Sequence, residues 1–243
     1  MPLQVSRSVA QIVSNDQVLQ GIMGIRSILF DVDGTLIDSN EFHVLAWQRA
    51  FNASGFKLSH DLVREQIGKG ADMLIPALLP HVDDQVRQQI AAHHDETFRR
   101  DYLMRVEPFE HASALVSEVT NRGCAVVLAS SSNQEDVNYY IDLLGIRTLL
   151  AGVTTADDVA HSKPAGDVFA AAMKKLPDAR PGETIVIGDT PYDVIAATKC
   201  GLETIALRSG GFPEAQLRSA GAQSIYADVG DLLANLEHSP IAG

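Results

Sequence analysis

The chain has 243 residues, 46% of them hydrophobic and 21% charged. That is a globular mix, long enough for one large domain or one domain with an insertion. The formal net charge of −12 repels nucleic acid and disfavours a DNA or RNA partner, but leaves a small phosphorylated molecule open, since a bound cation reverses the sign locally. No stretch is apolar enough to span a membrane, and the N-terminus lacks the pattern of a secretion signal. Two cysteines, Cys124 and Cys200, argue against a disulfide framework and for a reducing, cytoplasmic setting.

In chain order, residues 1–24 read as an extension. Met23 offers an alternative start, and a short helix packed on the body is the other reading. Residues 25–31 form the first strand pattern, with Ser27-Ile28-Leu29-Phe30 as an apolar run ending in Asp31, as a buried parallel strand would. Residues 39–107 contain no good strand and carry helix patterns near 41–53, 60–67, 73–79 and 84–103. Pro108 marks the return to the sheet. Further strand runs follow at 125–129, 149–153, 184–187, 204–207 and 224–227. Between them lie helix patterns at 111–121, 134–144, 167–176, 192–199 and 213–219. This alternation predicts a doubly wound, Rossmann-like parallel α/β sheet over 25–38 and 108–243, interrupted by an all-α cap over 39–107. In such sheets the working site lies beyond the carboxyl ends of the strands.

The predicted strand tips carry the chemistry. The first ends Asp31-Val32-Asp33-Gly34-Thr35-Leu36. The second ends Ala129-Ser130-Ser131-Ser132-Asn133. His161-Ser162-Lys163-Pro164 precedes a helix, and a later strand ends Gly188-Asp189-Thr190-Pro191-Tyr192-Asp193. Alone, each string is an ordinary turn, loop or helix cap. Together they gather four carboxylates, Asp31, Asp33, Asp189 and Asp193, around one lysine. Such a set needs a cation, and oxygen ligation suits Mg²⁺. Ser130, Asn133 and turn amides supply donors for a phosphate. The combination suits phosphoryl transfer, where positioning and charge neutralisation supply most of the catalysis.

These strings resemble the four signature motifs of the haloacid dehalogenase-like hydrolases, over nearly all the chain after Ile25, and residues 39–107 resemble that family's helical cap. The resemblance implies that Asp31 attacks phosphorus and that Asp33 is the general acid and base, a role that needs a raised pKa. It implies that Ser130 and Lys163 hold the phosphoryl group. Mg²⁺ would sit on Asp31, the Asp33 carbonyl and Asp189, with Asp193 in support. Thr35, His43, Lys69, Ser131 and Asn133 are the candidate substrate contacts, and the substrate is a small phosphorylated metabolite. Asp33 favours phosphate esters over the dehalogenase and phosphonatase branches, which typically carry Tyr or Ala there. Asp38-Ser39-Asn40-Glu41-Phe42-His43 with Ala46-Trp47 is similar to the opening of β-phosphoglucomutase, which leaves a sugar-phosphate mutase as the alternative. Two departures weaken it. Gly188 stands before Asp189 where mutases usually have Glu, and Asp72 or Met73 falls where a phosphate-binding arginine is usual. A non-catalytic binding module is the remote third reading.

Among lesser candidates, His93-His94-Asp95 reads as a solvated helix face rather than a metal site, because adjacent helical histidines diverge. Tyr139 and Tyr140 divide between rim and core. Cys124 and Cys200 read as inert thiols. Oligomeric state is left open.

Overall fold

The computed structural model describes residues 24–242. Apart from Gly24, the expected extension over residues 1–24 lies outside the described residues.

Six parallel strands form the central sheet in the order β5-β4-β1-β6-β7-β8. They are β1 (Ser27–Phe30), β4 (Ala125–Ala129), β5 (Leu150–Thr154), β6 (Thr184–Gly188), β7 (Glu203–Leu207) and β8 (Ser224–Tyr226). Side chains alternate across a strand, and both faces here are apolar. Ile28, Phe30, Val126, Leu128, Ile185 and Ile187 face one layer, whereas Leu29, Val127, Ala129 and Val186 face the other. The first layer is made by α5 (Ala112–Asn121), α6 (Gln134–Leu144) and α10 (Val229–Ala234). The second holds α7 (Asp167–Lys174) and α8 (Pro191–Lys199), and α9 (Glu214–Ala220) packs beside α8. A sheet buried on both faces is why its strands read as continuous apolar runs rather than alternating ones.

Four helices lie between β1 and the rest of the sheet: α1 (Asn40–Ala53), α2 (His60–Arg64), α3 (Ala71–Leu78) and α4 (Asp84–Asp101). They share a separate apolar cluster built on Val44, Trp47, Phe51, Leu74, Ile75 and Ile90. The chain enters and leaves this unit through a two-stranded antiparallel ribbon, β2 (Ile37–Asp38) with β3 (Glu107–Pro108). Two-residue strands carry no periodic signal, so the ribbon was not predicted. Among the described residues no helix is long and apolar enough to cross a membrane.

Candidate active site

The strand order reverses direction around β1, and the residues just past β1, β4 and β6 converge there. Asp31 follows β1 and is 6% exposed. Lys163, from the loop before α7, is fully buried and pairs with the Asp31 carboxylate. Its Nζ also lies 2.8 Å from Asp193 Oδ1. Asp193 is placed by helix capping. Thr190 accepts from the Asp193 amide, and Asp193 Oδ2 in turn accepts from the Thr190 amide at 3.0 Å and its hydroxyl at 2.6 Å. This capping box, with Pro191 opening the helix, is a local device that fixes α8. The same carboxylate's second oxygen is thereby left for Lys163.

Asp189 is fully buried beside them. It accepts from Asn40 Nδ2 at 2.9 Å and from the Thr35 hydroxyl at 3.1 Å, and that hydroxyl also lies 3.0 Å from Asp31 Oδ2. Gly34, at φ +79°, is required in this turn twice over: its backbone is left-handed, and a Cβ there would overlap Asp189 and Asn40. Oxygens of Asp31, Asp189 and Asp193 lie within 4.8 Å of one another. Burial pushes the Asp31 carboxyl up to about 7, with Asp193 and Asp33 adding to the rise and Lys163 opposing it. Burial, with the charges of Asp31 and Asp193, pushes Asp189 well above the carboxylate range. Burial works against the Lys163 ammonium, but Asp193 and Asp31 outweigh it and hold it above the usual lysine range. Three buried carboxylates against one ammonium leave negative charge over. Hard oxygen donors in this excess fit a divalent cation such as Mg²⁺.

Asp33 faces the other way, towards the helical unit. One of its oxygens meets Ser39 Oγ at 2.6 Å and His43 Nε2 at 3.1 Å. The other accepts from Ser132 Oγ at 2.7 Å, with Ser130 Oγ at 3.4 Å. Burial alone would raise this carboxyl, but the charge and hydrogen bond of His43, with the bonds from Ser39 and Ser132, outweigh it and hold it well below the usual range. The expected raised pKa is therefore not what this geometry produces. His43 stacks on Phe98 at 3.9 Å between centroids, and its Nδ1 lies 3.3 Å from His94 Nε2. His94 stacks on Trp47 at 3.9 Å, and its Nδ1 lies 2.9 Å from Asp95 Oδ1.

These groups border a cavity of about 180 Å³. Asp31, Asp33, His43, Lys69, Ser131 and Asn133, all predicted site residues, line it. Thr35, Ser130, Lys163, Asp189 and Asp193 stand behind its wall. Thr35 braces two carboxylates and is not among the residues lining the cavity. The loop carrying Lys69 docks on the core: Ser131 Oγ donates to the Gly68 carbonyl at 3.3 Å, and the Gly70 amide donates to Ser162 Oγ at 2.9 Å. Lys69 Nζ donates to Gln66 and lies 4.3 Å from the centre of the Tyr192 ring.

Several residues of the site escaped the sequence reading. Ser39, Asn40 and Ser132 stand inside strings already singled out, but nothing in them showed which hydroxyl or amide meets which carboxylate. The solvated-face reading of His93 and His94 holds for His93 only. His94 is buried on the stripe Ile90, His94, Thr97 and Phe98 that packs on α1, and this helical spacing was the available signal. Tyr140 is fully buried and Tyr139 half-buried. Both cysteines are free thiols, raised by burial.

Residues 28–207 match the family described as haloacid dehalogenase-like hydrolase. Pyrophosphatase PpaX of Oceanobacillus iheyensis is 27% identical over 211 residues, covering 87% of this chain and 96% of its own. A hydrolase from Pseudomonas syringae superposes with a TM-score of 0.82 at 29% identity, over 87% of this chain and 98% of that one. CbbY from Rhodobacter sphaeroides, solved in complex with phosphate, superposes with a TM-score of 0.71 at 25% identity, over 88% and 99%. The motif loops, the sheet that aligns them and this family match agree: the chain belongs to the haloacid dehalogenase-like hydrolases.

Proposed function

We propose that this enzyme is a phosphatase that hydrolyses a small phosphate monoester through an aspartyl-phosphate on Asp31, with Mg²⁺ as cofactor. The observation that carries the reading is the buried trio Asp31, Asp189 and Asp193 gathered around Lys163 beside a cavity that Asp31 and Asp33 share. Asp31 attacks phosphorus, and the bond from phosphorus to the ester oxygen breaks. Asp33 gives the leaving oxygen its proton, then takes one from the water that cleaves the aspartyl-phosphate and frees inorganic phosphate. Ser39, His43 and Ser132 aim Asp33, and the proton it gives to the leaving oxygen is restored from the attacking water, which closes the cycle. Lys163 acts from behind, offsetting the charge on Asp31. Bound Mg²⁺, on Asp31 and Asp189 with the Asp33 carbonyl and Asp193 in support, would neutralise charge on the phosphoryl oxygens. Ser131 and Asn133 stand on the cavity wall and would reach the substrate by exchanging their present acceptors, the Gly68 carbonyl and Asp136.

A mutase must hold a second phosphate, and among the described residues no arginine lines the cavity. Asp72, where the mutase arginine would fall, instead accepts from the Ser162 amide at 3.0 Å. Hydrolysis is therefore the reading adopted. The two free thiols suit a reducing, cytoplasmic setting. The test is phosphate release from a panel of monoesters with Mg²⁺ and with EDTA, beside Asp31→Asn. Release that needs Mg²⁺, and a folded but inactive variant, are expected. Turnover retained by Asp31→Asn would remove the covalent mechanism.

A further inference from the structure

Building on the phosphatase reading, we propose that the ester's leaving group is uncharged and hydroxyl-bearing, as in a sugar or polyol monophosphate, and that leaving groups carrying a second phosphate or a carboxylate are rejected. The charge around the cavity carries this. Beyond Asp31 its wall holds the carboxylates of Asp33, Asp95, Asp136 and Asp157, against, among the described residues, the single ammonium of Lys69. That ammonium is already engaged with Gln66 and the Tyr192 ring. Arg99 pairs with Asp136 and Glu135 and does not line the cavity. Lys163 is buried against Asp31 and Asp193. Among the described residues, these three cations are therefore committed before a second anion arrives.

Asp95 and Asp157 are solvent-accessible and so partly screened. Even so, a like charge brought close to each is repelled at a near-surface dielectric, by roughly tenfold in binding per carboxylate once solvent screening is counted. The hydrogen-bond inventory points the same way. Carboxylates accept and cannot donate, so a hydroxyl satisfies them, whereas a phosphate or carboxylate brings only further acceptors. The cavity's modest volume, about 180 Å³, favours a compact leaving group.

The experiment compares kcat/KM in Mg²⁺ for two pairs, glycerol 3-phosphate against 2-phosphoglycolate and a hexose 6-phosphate against a hexose 1,6-bisphosphate. The member of each pair with the uncharged leaving group is expected to lead by about 100-fold, one factor of ten for each of the two carboxylates. An anionic member within about tenfold of its partner would overturn the inference while leaving the phosphatase reading intact. The double variant Asp95→Asn with Asp157→Asn keeps the acceptor oxygens used by His94 and by the Gln134 amide. It is expected to narrow both ratios by at least about tenfold, and ratios equal to those of the parent would refute the electrostatic cause. Phosphate release from none of the four esters would instead remove the phosphatase reading, and this inference with it.

Discussion

Lys163→Met replaces a fully buried ammonium with a neutral side chain of similar length. The loss exposes the logic of the site, because that ammonium is the partner of both Asp31 and Asp193. Removing one partner of a buried ionic group leaves the others uncompensated and costs about 3–5 kcal/mol, a large share of a typical total of about 5–15 kcal/mol. For a chain of this length each kcal/mol shifts Tm by about 2–4 °C, so a fall of roughly 6–20 °C is expected. The sign of the pH dependence follows from Asp31. Its folded pKa is raised to about 7 from an unfolded value of 3.8, so its contribution is fully present below 3.8 and is lost as pH rises through 7. Without Lys163 the folded value climbs further, and the variant's deficit should grow as pH rises from about 4 to 8. Urea unfolding of parent and variant, metal-free, at pH 5 and pH 8 measures this. A deficit under about 1 kcal/mol, the size of an exposed pair, or one that shrinks as pH rises, would refute the reasoning.

Thr35→Val removes the hydroxyl shared by Asp31 and Asp189; a loss of about 1–3 kcal/mol is expected in urea unfolding, and an unchanged midpoint would show the bridge to be dispensable. His94→Phe keeps the stack on Trp47 but deletes the contact to His43. A fall in kcat of roughly tenfold with little change in KM is expected if His94 acts by aiming His43, whereas a change in KM alone would assign it to substrate binding. Adding Mg²⁺ to the metal-free protein should raise Tm, and more at pH 8 than at pH 5, because Asp31 and Asp189 shed protons to bind it; equal shifts at both pH values would count against that ligand pair.

Legibility in the sequence followed the range of the forces involved. The span of α6 is local physics: Asn133 caps its start and Gly145, left-handed at φ +66°, ends it, so periodicity placed it at residues 134–144 without tertiary information. The third helix of the inserted unit was harder. It spans Ala71–Leu78 rather than 73–79, because Gly70, held on the core by Ser162, is the N-cap and its carbonyl accepts from the Met73 and Leu74 amides. The expectation for residues 60–67 overshot likewise: α2 stops at Arg64, and the following loop turns to dock on the core.

The sequence by itself determined the doubly wound sheet, because strands buried on both faces must be apolar throughout, and it marked the strand-tip residues from which the proposed site is drawn, because chemistry there needs particular residues in particular turns. Only the tertiary structure decided the pairing. Thr35 bridges Asp31 and Asp189; Asp33, expected to be raised, is held low by His43, Ser39 and Ser132. His94, expected in solvent, is buried against Trp47. In each case the deciding partner lies on another segment of chain. A carboxylate's protonation and a histidine's burial are set by what stands within a few ångströms in space, and spacing along one chain does not encode that distance.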